Sequence, residues 1–89
     1  MEIKNTVFLN QNISLKAKGL LAQIAFMKKT HSDYVTMSDL LAMSKDGIKS
    51  LRGGIRELEE HGLLIRTREH ELDGTFYYHY EINGEAVNE

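Results

Sequence analysis

The chain has 89 residues, enough for one compact domain and too few for two, and a domain of this size buries only about 60–65% of its unfolded surface. Its 42% hydrophobic and 27% charged content is ordinary for a soluble domain; the lack of cysteine excludes disulfides and thiolate metal sites, and neither a signal peptide nor an apolar run of roughly 18 residues is evident, so a cytoplasmic location away from membranes is expected. The net charge of −2 argues weakly against a nucleic-acid partner, but residues 1–56 carry nine Lys and Arg against four acids, while residues 57–89 carry Arg66 and Arg68 against nine.

Val7-Phe8-Leu9 is a short apolar run before a turn at Asn10-Gln11-Asn12, either an edge strand or a packed arm. From Ser14, a candidate cap, Ala17, Leu20, Leu21, Ile24 and Met27 recur at helical spacing. His31-Ser32-Asp33 ends that helix, and Tyr34-Val35-Thr36 reads as a very short strand. A brief second helix is expected after Ser38, with Asp39 near its positive end and Leu40, Leu41 and Met43 as its apolar side.

Ser44-Lys45-Asp46-Gly47 is a polar turn that offers Asp46 as a further cap. A third helix then runs from about Gly47 to His61, with Ile48, Leu51, Ile55 and Leu58 inward and Gly62 as a left-handed stop. Leu63 to Glu69 forms a strand, Leu72-Asp73-Gly74 turns, and Phe76, Tyr78, Tyr80 and Ile82 alternate along a return strand. Asn83-Gly84 ends that strand, and fraying is expected over the last five residues. The order is helix, short strand, short helix, turn, helix, hairpin. It predicts an α+β fold of the winged helix-turn-helix class, one domain over residues 1–89 with its core at about 7–82.

Particular residues point the same way. Leu15-Lys16-Ala17-Lys18-Gly19-Leu20-Leu21 resembles the opening of winged-helix domains in phage- and plasmid-type replication initiators and in DnaD-like replication proteins. Ser44-Lys45-Asp46-Gly47, Arg52 and Glu57-Leu58-Glu59-Glu60-His61-Gly62-Leu63-Leu64 share the resemblance, which spans roughly residues 7–82. It implies a winged helix and a part in replication or transcription control in a bacterium, its phage or a plasmid.

If the third helix buries its apolar face, Lys49, Arg52, Gly53 and Arg56 lie on the opposite face, with Lys45 just before them. Such a ridge suits the DNA major groove, Arg as a bidentate reader of guanine and Lys as a phosphate-seeking point charge. Ser50 and the backbone at Gly53 would add short-range contacts. Arg66 and Arg68 are candidates at the base of the wing, although Glu69, Glu71 and Asp73 beside them would repel phosphate. Lys16 and Lys18 are further phosphate candidates.

His31, His61, His70 and His79 show no metal-ligand spacing, and Tyr77, Tyr78 and Tyr80 read first as sheet packing, with Tyr77 a lesser candidate for a partner surface. No catalytic constellation can be assembled, so neither an enzyme nor a cofactor is expected. The expected partner is double-stranded DNA. The alternative is a protein-interaction module that docks another protein or a second copy of itself, for example a small phage protein acting on a host factor.

Overall fold

The computed structural model describes residues 3–30 and 34–87. Along them the chain forms α1 (Asn5–Leu9), α2 (Leu15–Thr30), β1 (Val35–Thr36), α3 (Met37–Met43), α4 (Ile48–Glu60), β2 (Leu64–His70), β3 (Phe76–Ile82) and α5 (Gly84–Val87). The result is an α+β arrangement in which α2, α3 and α4 pack beside a three-stranded antiparallel sheet of order β1-β3-β2.

Helix α2 buries the five residues its spacing predicts, Ala17, Leu20, Leu21, Ile24 and Met27. Its first turn is closed by Ser14, whose hydroxyl accepts from the Ala17 amide at 3.1 Å. That hydroxyl also donates to Glu57 Oε1 at 2.8 Å, and the Ser14 amide donates to the other carboxylate oxygen. An acid of α4 thus sits at the positive end of α2 and ties the two helices together. These bonds hold the Glu57 carboxyl below its ordinary pKa, the Ser14 amide contributing most. The expected end at His31-Ser32-Asp33 lies outside the described residues.

The second predicted helix, α3, starts earlier than Ser38 suggests. Thr36 is its cap: its hydroxyl accepts from the Asp39 amide at 3.3 Å, and the Asp39 carboxylate accepts from the Thr36 amide at 2.9 Å. This reciprocal pair satisfies two of the free donors and fixes the start at Met37. Only Leu40 of its apolar residues is buried; Leu41 and Met43 stay exposed. Helix α4 begins without a side-chain cap, Gly47 occupying the position expected of Asp46. Ile48, expected inside, is 42% exposed, while Leu51, Gly54, Ile55 and Leu58 are buried.

Gly62 ends α4 at φ 71°, with its amide bonded to the Glu59 carbonyl at 3.0 Å and the Leu63 amide to the Leu58 carbonyl at 2.9 Å. This paired closure leads straight into β2 and places Leu63 in the core beside Leu58. Strands β2 and β3 pair from Leu64↔Ile82 to His70↔Phe76, and Gly74 at φ 91° allows the tight return. Asp73 fixes that turn by accepting from both the amide and the hydroxyl of Thr75, at 3.0 and 2.7 Å.

Both ends of the described chain depart from expectation. Val7-Phe8-Leu9 forms part of a short helix rather than a strand, and Val7 alone of the three turns into the core. A three-residue apolar run cannot distinguish the two by periodicity. Of the last five residues, expected to fray, residues 85–87 instead belong to α5, and Val87 is fully buried. The Lys4 amide donates to the Val87 carbonyl at 2.6 Å, so the two ends close on one another.

Candidate nucleic-acid interface

The 100° step of an α-helix carries Lys49, Arg52 and Arg56 to the side of α4 away from Leu51 and Leu58. All three are exposed. Lys45 is exposed in the turn that precedes the helix. Arg52 and Arg56 also line a cleft of about 380 Å³ between α4, the start of α3 and the β2–β3 hairpin. Thr36, Ser38, Glu59, Arg66, Tyr77 and Tyr78 form other parts of its wall. Three guanidinium groups therefore share this cleft with a single carboxylate.

Arg66 and Arg68 stand two residues apart on β2, so they project from one face of the hairpin. Their partners across the ladder are Tyr80 and Tyr78. The Arg66 guanidinium lies 4.8 Å from the Tyr78 ring centroid, and that of Arg68 lies 5.1 Å from Phe76. Cation–π contacts of this kind contribute about 0.5–1 kcal/mol at exposed sites and hold the guanidinium against the sheet. Arg66 Nε is also 3.7 Å from Glu59 Oε2, which links the hairpin to α4. Tyr80 reaches into the core beneath, and burial pushes its phenol above its ordinary pKa.

Alternation along the strands separates Glu69 and Glu81 of the hairpin from its arginines. Glu69 and Glu81 fall on the opposite face of the hairpin from Arg66 and Arg68. Glu69 Oε1 lies 3.8 Å from Nδ1 of His79, a buried histidine stacked with Tyr34 at 4.3 Å between ring centroids. Nothing in the sequence pattern singles out that back-face cluster, because Tyr34 and His79 meet only through the β1–β3 pairing. Glu71 and Asp73 remain at the hairpin tip. Of the tyrosines read as sheet packing, Tyr80 alone is buried; Tyr77 and Tyr78 are 43% and 36% exposed and are among the residues that line the cleft.

The glycine pair brings one more cation to this side. A Cβ at Gly54 would lie 2.9 Å from Leu20 Cδ2, so here α2 meets α4 without an intervening side chain. A Cβ at Gly53 would lie 3.1 Å from Lys16 Nζ. Lys16 thus reaches from α2 across Gly53 and sets its ammonium beside the α4 ridge. The backbone at Gly53, expected to offer a close approach, has the end of this exposed lysine beside it. Ser50, expected to add a short-range contact, lies elsewhere on α4. It is partly buried and lines a separate groove between α2, α3 and α4, with Leu15, Leu40 and Met43. Lys18 lies about 200° around α2 from Lys16 and points away from the ridge.

Among the described residues, no three His, Cys, Asp or Glu side chains gather as a metal ion would require, and no helix is long and apolar enough to cross a membrane. No protein-family model, curated protein or solved structure matches the chain.

Proposed function

We propose that the protein is a winged helix-turn-helix domain that binds double-stranded DNA, with α4 in the major groove and the β2–β3 hairpin as the wing. The observation that carries this reading is the continuity of positive charge. Lys16, Lys49, Arg52 and Arg56 border or occupy one side of α4, and Arg66 and Arg68 extend it onto the hairpin face that adjoins the same cleft. The element order, with a short helix, a turn and a longer helix leading into the hairpin, supports the fold assignment. Arg52 and Arg56 read bases; the lysines and the hairpin arginines hold phosphate. The resemblance of the Leu15–Leu21 and Glu57–Leu64 runs to replication proteins favours a part in replication or transcription control.

Fluorescence anisotropy with duplex DNA at several salt concentrations tests this. Five to seven phosphate contacts give a log–log slope of about −4.5 to −6. A variant with Lys49, Arg52 and Arg56 all replaced by Ala that binds duplex as tightly as the parent would exclude α4 as the contacting helix.

A further inference from the structure

Resting on that reading, we propose that the cleft between α4 and the hairpin holds an unpaired nucleotide, so that the protein prefers a duplex bearing a single-stranded arm over an uninterrupted duplex. The first observation is shape. A cleft of about 380 Å³ opens between α4 and the hairpin. That volume lies within the roughly 300–1,000 Å³ range of pockets for single small ligands.

The second observation is chemistry. Arg66 supplies a guanidinium for a phosphate, Arg52 and Arg56 add to the positive field from the α4 wall, and Tyr77, 43% exposed, lines the same cleft as a platform for a base. Interleaved basic and aromatic side chains are what single strands require, because an unpaired base offers a π-face that a duplex conceals.

The third observation explains how two consecutive tyrosines of one strand reach the same recess. Strand β1 pairs with β3 only at Tyr80 and His79, so the edge of β3 beyond His79 is left uncovered by β1. Tyr77 leaves the face that also bears its cross-strand partner Glu69, Tyr78 leaves the face of Arg66 and Arg68, and both residues line the cleft at that edge. The Tyr78 ring is already engaged, with Arg66 over its face and the edge contact to Phe76 at 5.8 Å between centroids. Tyr77 is therefore the stacking platform, and the Arg66–Tyr78 pair is the wall beside it.

The test compares three probes of one sequence by anisotropy: a blunt duplex, the same duplex with a short unpaired arm, and the single strand. The arm carries 2-aminopurine as its first unpaired base. The expected result is five- to a hundredfold tighter binding of the armed duplex than of the blunt one, with quenching of the 2-aminopurine. Tyr77→Leu keeps apolar bulk without a flat ring and should remove the preference and the quenching, with a melting curve to verify that it folds. Equal affinity for armed and blunt duplex overturns the inference while leaving duplex binding intact. An armed-duplex preference without quenching in the wild-type protein also overturns it, since the base is then elsewhere. Failure to bind any of the three probes overturns both this inference and the DNA-binding reading.

Discussion

The glycine pair of α4 offers a test in which two adjacent substitutions should have opposite signs. Replacing an interior helical glycine by alanine is worth about 0.8–1.0 kcal/mol in backbone entropy. At Gly53 that gain is available, because the only neighbour is the terminal nitrogen of an exposed lysine, 3.1 Å away, which can swing aside. Gly53→Ala should therefore raise stability by close to the full amount, about 4–8 °C in melting temperature for a domain of this size.

At Gly54 the new methyl meets Leu20 Cδ2 at 2.9 Å, with Lys16 Cγ and Leu20 Cβ behind it at 3.9 and 4.0 Å. Leu20 is buried in the α2 face, so it can move only by displacing other core atoms. Overpacking of this kind costs about 1–3 kcal/mol, which outweighs the helix-propensity gain. Gly54→Ala should be neutral to about 2 kcal/mol destabilising. Leu20→Val removes the offending δ-carbons, so in that background Gly54→Ala should recover its stabilising sign. Thermal and urea unfolding of the four-member cycle would measure the coupling directly. A Gly54→Ala protein that is about 1 kcal/mol more stable than the parent would refute close helix contact at this position.

Three further outcomes follow from the same geometry. Arg52→Ala or Arg56→Ala should weaken binding to a preferred duplex by about 1–3 kcal/mol, whereas Lys49→Ala should weaken binding to all sequences and make the salt slope shallower by about 1; anisotropy on specific and scrambled duplexes separates the two. Glu57 has its pKa lowered by Ser14, so its stabilisation is present above the ordinary carboxyl value of 4.5 and is lost as pH falls through the folded-state value; Glu57→Gln should flatten that acid limb in melting curves. Val87→Ala should cost about 1–3 kcal/mol in urea unfolding, although the residue lies near the end of the described chain, because its side chain is fully buried.

Segments with several apolar residues at one period were legible from the sequence. Five residues spaced along α2 specify its buried face without reference to any other segment, and the left-handed stop at Gly62 follows from the residue type. Features set by a distant partner were not. Val87 and Val7 belong to one core, and the Lys4 amide bonds to the Val87 carbonyl; nothing local to either valine announces the other. Thr36 won the capping position from Ser38 through its reciprocal bonds with Asp39, a spacing of three that the sequence does contain. The candidate site divides the same way: Lys49, Arg52 and Arg56 follow from the helical period, whereas Lys16 joins them only because α2 meets α4 at Gly53, and Ser50 lines the groove on the other side of α4.

If the protein binds DNA as proposed, its net charge is a poor guide, and the hairpin shows a physical reason. Counted along the chain, residues 57–89 are strongly acidic, and a wing drawn from them should repel a polyanion. A strand, however, sends successive side chains to opposite faces, so Arg66 and Arg68 are displayed together while Glu69 turns back toward His79. Glu57 is spent on the amino end of α2, and Glu59 is paired with Arg66 at the edge of the cleft. Of these acids, only Glu59 lines the cleft, and its field acts against three guanidinium groups there. Screening reduces the reach of exposed charges to about 8–10 Å, so a phosphate near Arg52 or Arg56 responds to those neighbours and little to acids on the far face of the hairpin. Glu59→Gln should therefore strengthen DNA binding, and Glu81→Gln, on the opposite face, should leave it almost unchanged. Equal gains from both substitutions in a salt titration would show that total charge governs binding and that the segregation of faces does not.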